Sequence, residues 1–175
     1  MSRSLEEEEA LRTNDPKDPI NQLYGEHDHA LEQLQILGGT GHAMAKDGVS
    51  PDLLRGFKSA VAFLDHEVRE HNEWEENHLF PLLELYTGPG GPCAVMRAEH
   101  RTLWDTYGAM GPVLLKVESG TRDPATLDHL AFLADSIVEL LSSHIGKENE
   151  ILFPMARRML GPEDIAKLAA ARPAA

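Results

Sequence analysis

The stretch EHNEWEENHLFP, residues 70–81, packs two histidines and four glutamates ahead of Leu79, Phe80 and Pro81. Residues 143–154, SHIGKENEILFP, carry the same pieces in the same order: a histidine, a glutamate four residues on, then Leu-Phe-Pro. His71 and His144, Glu75 and Glu148, and the two LFP triplets are each 73 residues apart. The same offset pairs Pro19 with Pro92, Glu26 with Glu99, His27 with His100, Gly38 with Gly111 and Pro51 with Pro124. The matches fall on His, Glu, Gly and Pro rather than on common apolar types, which marks a twofold internal repeat.

Between the turn signals at 46–51 (KDGVSP), 87–92 (TGPGGP), 118–124 (ESGTRDP) and 161–162 (GP), the apolar residues recur at helical spacing. Ser50 before Pro51 and Asp123 before Pro124 are caps followed by a first-turn proline. The expected fold is all-α: two helical hairpins forming an antiparallel up-down-up-down four-helix bundle over residues 19–160. Residues 161–175 add a short C-terminal helix and tail, and residues 1–18, with EEEE and two prolines, read as an acidic mobile tail. Gly38 and Gly111-Pro112 are expected to kink or break the first and third helices.

In the second helix the apolar seam runs Phe57, Val61, Leu64, Val68 and then continues as His71, Glu75, His78 and Leu82. The fourth helix repeats it with Leu130, Ala134, Ile137, Leu141, His144, Glu148, Ile151 and Met155. His27, between Leu23 and Leu34, and His100, between Met96 and Leu103, also fall in the seam. Four imidazoles and two carboxylates in one core cost several kcal/mol each unless they satisfy one another or bind a cation. Taken singly, each histidine reads as a hydrogen-bonded or solvated side chain. Taken together, His27, His71, Glu75, His100, His144 and Glu148 read as metal ligands, and six ligands suit two metals with bridging carboxylates better than one. Imidazole and carboxylate without thiolate suit iron, with manganese or zinc as substitutes. His78 is in phase with His71, but its repeat mate is Ile151; Tyr24 and Tyr107 lie near the site and read as core; Glu76 reads as a supporting or surface carboxylate.

A net charge of −13 with no basic cluster argues against nucleic acid and anionic membranes. No stretch approaches a membrane span, and the N-terminus has no apolar signal core, so a soluble cytoplasmic protein is expected. The single cysteine, Cys93, sits at an apolar helix position and offers no thiol chemistry.

The segments EHDHALEQL, HNEWEENHLFP, AEHRTLW and HIGKENEILFP together resemble the hemerythrin-like HHE cation-binding domain, over nearly all of residues 19–160. The resemblance implies a non-haem di-iron centre with an oxo or hydroxo bridge, His27 and His71 on one iron, His100 and His144 on the other, and Glu75 and Glu148 bridging. Oxygen-carrying members have a histidine where Met96 stands and an aspartate five residues after the last histidine, whereas Glu148 comes four after His144. These departures argue against reversible oxygen carriage. The six-ligand pattern resembles bacterial di-iron repair and stress proteins, whose repair members usually carry an N-terminal cysteine-containing domain that an 18-residue tail cannot supply.

The expected function is binding of, or reaction with, O₂, NO or peroxide in oxidative or nitrosative stress or iron homeostasis, with peroxidase, catalase-like or NO-linked oxidoreductase activity in view and a reductase or regulatory protein as partner. The alternatives are an iron store, donor or sensor without turnover, and an interaction bundle with a vestigial site.

Overall fold

A computed structural model describes residues 15–172. Helix α1 spans Pro19–Asp47. Helix α2 covers residues 51–87 and is interrupted by two π-helical turns, Leu64–Val68 and Glu75–Leu79. Helix α3 spans Pro92–Glu118. Helix α4 covers residues 124–159 with a π turn at Glu148–Leu152, and α5 spans Pro162–Ala170. α1 packs against α2 and α4, α3 packs against α4, and the end of α2 closes the ring against α3. With short connections this is the expected antiparallel four-helix bundle with a fifth short helix.

Local chemistry sets the helix ends. Ser50 accepts from the Leu53 amide and Asp123 from the Thr126 amide, each just before a first-turn proline. Gly48 (φ 89°) and Gly88 (φ 77°) take a left-handed backbone at the ends of α1 and α2 and donate back to Met44 and Glu84. Gly38 and Gly111-Pro112, expected to kink or break their helices, lie inside uninterrupted α1 and α3. Pro112 takes one amide donor out of the helix, but residue 108, whose carbonyl loses that donor, is an exposed glycine open to water.

Among the described residues the apolar interior forms two clusters. One includes Leu34, Leu37, Phe57, Leu64, Val117 and Ile137; the other includes Ile20, Leu23, Phe80, Leu83, Phe153 and Leu168. Cys93 is fully buried in the second, and burial pushes its thiol up to about 11.

Of the expected acidic tail, residues 1–14 lie outside the described residues. Asp18, read as part of that tail, is instead buried and caps α1 through the Ile20 and Asn21 amides. It also accepts from Arg157 on α4 at 2.5 and 2.7 Å, which ties the start of the bundle to its end.

Burial opposes ionisation of Asp18, but the Arg157 guanidinium and the two amides outweigh it and hold the carboxyl below its usual 3.8. Asp18→Ala removes a cap and leaves a buried guanidinium with the neutral Asn21 amide but no counter-charge, so urea denaturation at pH 7 should show a loss of about 3 kcal/mol. Because the folded-state pKa is depressed, that contribution is present above pH 3.8 and is lost as pH falls through the folded value. The gap between parent and variant should therefore close in strong acid, and a pH-independent gap would contradict the ion pair.

Candidate metal centre

Between the two apolar clusters lies a polar layer built from one histidine of each long helix and one glutamate each of α2 and α4. His27, His71, His100 and His144 are buried, and Glu75 and Glu148 have no exposed surface at all. Their donor atoms fall into two groups: His27, His71, Glu75 and Glu148, and Glu75, His100, His144 and Glu148. Within each group the atoms lie within 4.8 Å of one another. Both carboxylates belong to both groups, so the two glutamates stand between two pairs of imidazoles.

The four Nε2 atoms point inward. Nε2 of His27 lies 3.1 Å from that of His71, and Nε2 of His100 lies 3.0 Å from that of His144. Glu148 Oε2 is 3.2 Å from both His27 and His144, while Glu75 reaches His71 at 3.4 Å and His100 at 3.7 Å. Among the described residues, none donates a hydrogen bond to the four carboxylate oxygens, although all are buried.

The four Nδ1 atoms point outward, each to an oxygen. His27 donates to Asn149 Oδ1 at 2.8 Å, His71 to Glu26 Oε2 at 2.7 Å, His100 to Glu76 Oε1 at 2.7 Å and His144 to Glu99 Oε2 at 3.0 Å. These bonds place a proton on Nδ1 and turn the Nε2 lone pair toward the carboxylates. Two lone pairs facing each other at about 3 Å repel unless a proton or a cation lies with them. The donor set therefore fits metal ions: inward imidazole nitrogens, unbonded buried carboxylates and outer acceptors that lock each ring.

The sequence also explains the local backbone. Pro81 and Pro154 cannot donate to the carbonyl four residues back, and their rings crowd it; a wider π turn lets the helix pass. Glu75–Leu79 and Glu148–Leu152 are those turns, at equivalent places of the repeat. The extra residue per turn rotates the rest of each helix. Leu79 and Leu83, not His78 and Leu82, continue the core of α2, and Leu152 and Ala156, not Ile151 and Met155, continue that of α4. Ile151 is 58% exposed. His78 is part-buried against the Trp74 ring and outside both donor groups.

Phe80 then stacks on His100 and Phe153 on His27, closing one side of the layer. Tyr24 donates to the Asn149 carbonyl and packs on Phe153, while Tyr107 packs with Trp104. His29, His42, His66 and His129 are exposed.

Glu76 is the supporting carboxylate its position suggested, but sequence reasoning missed Glu26, Glu99 and Asn149. The repeat had paired Glu26 with Glu99, a usable signal. Asn149 is the mate of Glu76 and differs from it, so identity matching passed over it.

Without metal, the layer needs protons. Burial alone would lower His71 and His144, but Glu75 and Glu26 around the first, and Glu148, Glu75 and Glu99 around the second, raise them to about 10 and about 9. Burial lowers His100, and the nearby His144 adds to the shift against Glu75 and Glu76. Burial works against ionisation of Glu148, but His144 and His27 hold it well below the usual range. In the metal-free chain, an NMR titration should find His71 and His144 still protonated at pH 8 and His100 neutral at pH 7. Raised histidine values mean stability that is present below pH 6.5 and lost as pH rises through about 9–10. Melting of the metal-free bundle should fall over that alkaline range, and an unchanged melting temperature would contradict the paired charges.

The model of the hemerythrin HHE cation-binding domain matches residues 18–156. The iron-sulfur cluster repair protein YtfE of Yersinia pestis (strain Pestoides F) is 30% identical over 139 residues, covering 75% of this chain and 61% of that protein. YtfE of Salmonella newport (strain SL254) is 30% identical over 137 residues, 74% of this chain and 60% of that protein. The chain thus spans about six-tenths of the length of these relatives. No helix among the described residues is long and apolar enough to cross a membrane. With the repeat, the bundle and the inward histidines in agreement with a match over most of its length, the chain belongs to the hemerythrin HHE cation-binding domain family.

Proposed function

We propose that His27, His71, Glu75, His100, His144 and Glu148 hold two iron ions, and that the protein uses them to bind or react with O₂, NO or peroxide in oxidative or nitrosative stress or in iron handling. The observation that carries this reading is the sharing of both buried carboxylates by two groups of donor atoms. One ion would leave two imidazoles unanswered, whereas two ions, held by the six residues together, would leave none of them without a partner. Absence of cysteine from the groups favours iron over a structural zinc, with manganese or zinc as substitutes. When bound, an iron pair supplies electrons and coordination positions for a small ligand.

The chain's own part is positioning and exclusion. Glu26, Glu76, Glu99 and Asn149 fix the ring orientations and keep each Nδ1 proton away from the centre. Phe80 and Phe153 keep water from the faces of His100 and His27. The proposal includes a cytoplasmic setting and a reductase or regulatory protein as partner.

A second reading, an iron store, donor or sensor without turnover, draws on the relatives, whose name is iron-sulfur cluster repair protein. Transfer of iron to a metal-free acceptor protein, with no oxidation of the centre by peroxide, would select it.

Elemental analysis of protein made in iron-replete medium should give about two irons per chain, falling well below one in the His71→Ala, His144→Ala double variant. Loading at pH 7 should release about two protons per chain, because His71 and His144 must lose theirs. Equal metal in parent and variant, or a loaded protein whose spectrum ignores both NO and peroxide, would overturn the reading.

A further inference from the structure

The six inward groups of the two halves match residue for residue, but the oxygens outside them do not. At the offset of 73, the acceptors for His71 and His144 are both glutamates, Glu26 and Glu99. The acceptors for His100 and His27 are Glu76 and its mate Asn149, a carboxylate and a neutral amide. Cations do not even out this difference. Lys147 bonds Glu99, and its mate in the repeat is the uncharged Trp74. Arg172, from outside the repeat, takes that place: it lies 4.0 Å over the Trp74 ring and bonds Glu26 at 2.8 Å. Each half thus sets one cation against one outer carboxylate, and Glu76 is left over on the side of His100 and His144. Glu67 and Glu70 lie on the side of His27 and His71, but both are exposed, where water and salt screen them.

A carboxylate acceptor on Nδ1 makes an imidazole a better donor at Nε2 and adds its own attraction for a cation there. Changing such an outer partner typically alters metal affinity about ten- to a hundredfold.

Access to water points the same way, since an ion leaves its ligands only as water replaces them. A cavity of about 450 Å³ is lined by Glu26, His27 and His71, and also by His144. A second, of about 290 Å³, is lined by Asn149. Neither is lined by His100, Glu76 or Glu99.

We propose that the two metal positions are unequal, that the ion with His27 and His71 is the exchangeable one, and that Asn149 is the positioning residue that sets this difference. Both buried carboxylates belong to both donor groups, so an ion kept with His100 and His144 still lies among them after the other has left. The chain can then give up one divalent cation and keep a counter-charge in its core. The inference rests on the two-iron reading and deepens it.

The test uses the chain loaded with iron(II) under nitrogen at pH 7, mixed with an excess of a coloured iron(II) chelator and followed by absorbance. Release is expected in two phases of one ion each, with rates about tenfold or more apart. Asn149→Asp keeps the acceptor oxygen and adds a charge, and should slow the fast phase about tenfold while leaving the slow one in place. Glu76→Gln keeps the acceptor and removes a charge, and should quicken the slow phase by a similar factor. Slowing by Asn149→Asp is the result that a merely structural role cannot produce, because loosening a ring only speeds release. If Asn149→Asp does not fold, Glu76→Gln decides. Two ions leaving in a single phase, a fast phase unchanged by Asn149→Asp, or a slow phase unchanged by Glu76→Gln would overturn this inference alone. A total well below two ions per chain would overturn the two-iron reading and the inference with it.

Discussion

Two carboxylates with no exposed surface, Glu75 and Glu148, face each other's histidines in the middle of the bundle. Placing such groups away from water costs several kcal/mol each unless cations meet them. Everything around them answers that demand. Each of the four long helices sends one imidazole to the layer, and the helix pairs must be antiparallel for residues near the start of α1 and α3 to meet residues late in α2 and α4. Protons can meet the demand only in part, because His100 is pushed toward its neutral form by burial and by the neighbouring His144. The proposed pair of multivalent cations would meet it fully, so fold and site would depend on one electrostatic constraint.

The repeat is less symmetric than its ligands. The outer bond of His100 ends on a carboxylate, Glu76, whereas the equivalent bond of His27 ends on a neutral amide, Asn149. Carboxylate partners make an imidazole more electron-rich than amides do. Glu26 is shared with Arg172 and Glu99 with Lys147, so the remaining outer carboxylates are matched by one cation each. The His100 and His144 side thus carries one more negative charge among its outer partners than the His27 and His71 side. The repeat supplies the six converging groups, and the differences between its halves lie outside them.

The bundle and its inward histidines were legible in the sequence because two periods act on the same residues: helical spacing and the 73-residue offset. A chance histidine satisfies one of these, and His71, Glu75, His144 and Glu148 satisfy both. Beyond the two glutamates the sequence misleads, since a constant heptad phase carries the seam to His78 and Ile151. The π turns advance the phase by one residue and bring Leu79 and Leu152 inward. Pro81 and Pro154 were visible, but a proline can kink, break or widen a helix, and only packing selects among these. Gly38 and Pro112 show the opposite outcome, with the helix running through. Asn149 was illegible for another reason: outer partners need only an acceptor oxygen, so Asn replaces Glu without loss of the bond, and identity matching misses it.

The C-terminal helix lies outside the repeat, and the sequence reads there only as a short helix and tail. Its position ties it to the site instead. Leu168 is buried in the cluster that contains Phe80 and Phe153, the two rings that stack on His100 and His27. Just past the helix, the Ala171 carbonyl accepts from the Trp74 indole, and Arg172 lies over that ring while holding Glu26, the acceptor for His71. Burial pulls the Arg172 guanidinium down from its usual value, so Glu26 and Trp74 must offset the loss of water around it. Ala171 and Arg172 thus hold the outer acceptor of one inward histidine and the Trp74 ring in a single set of contacts.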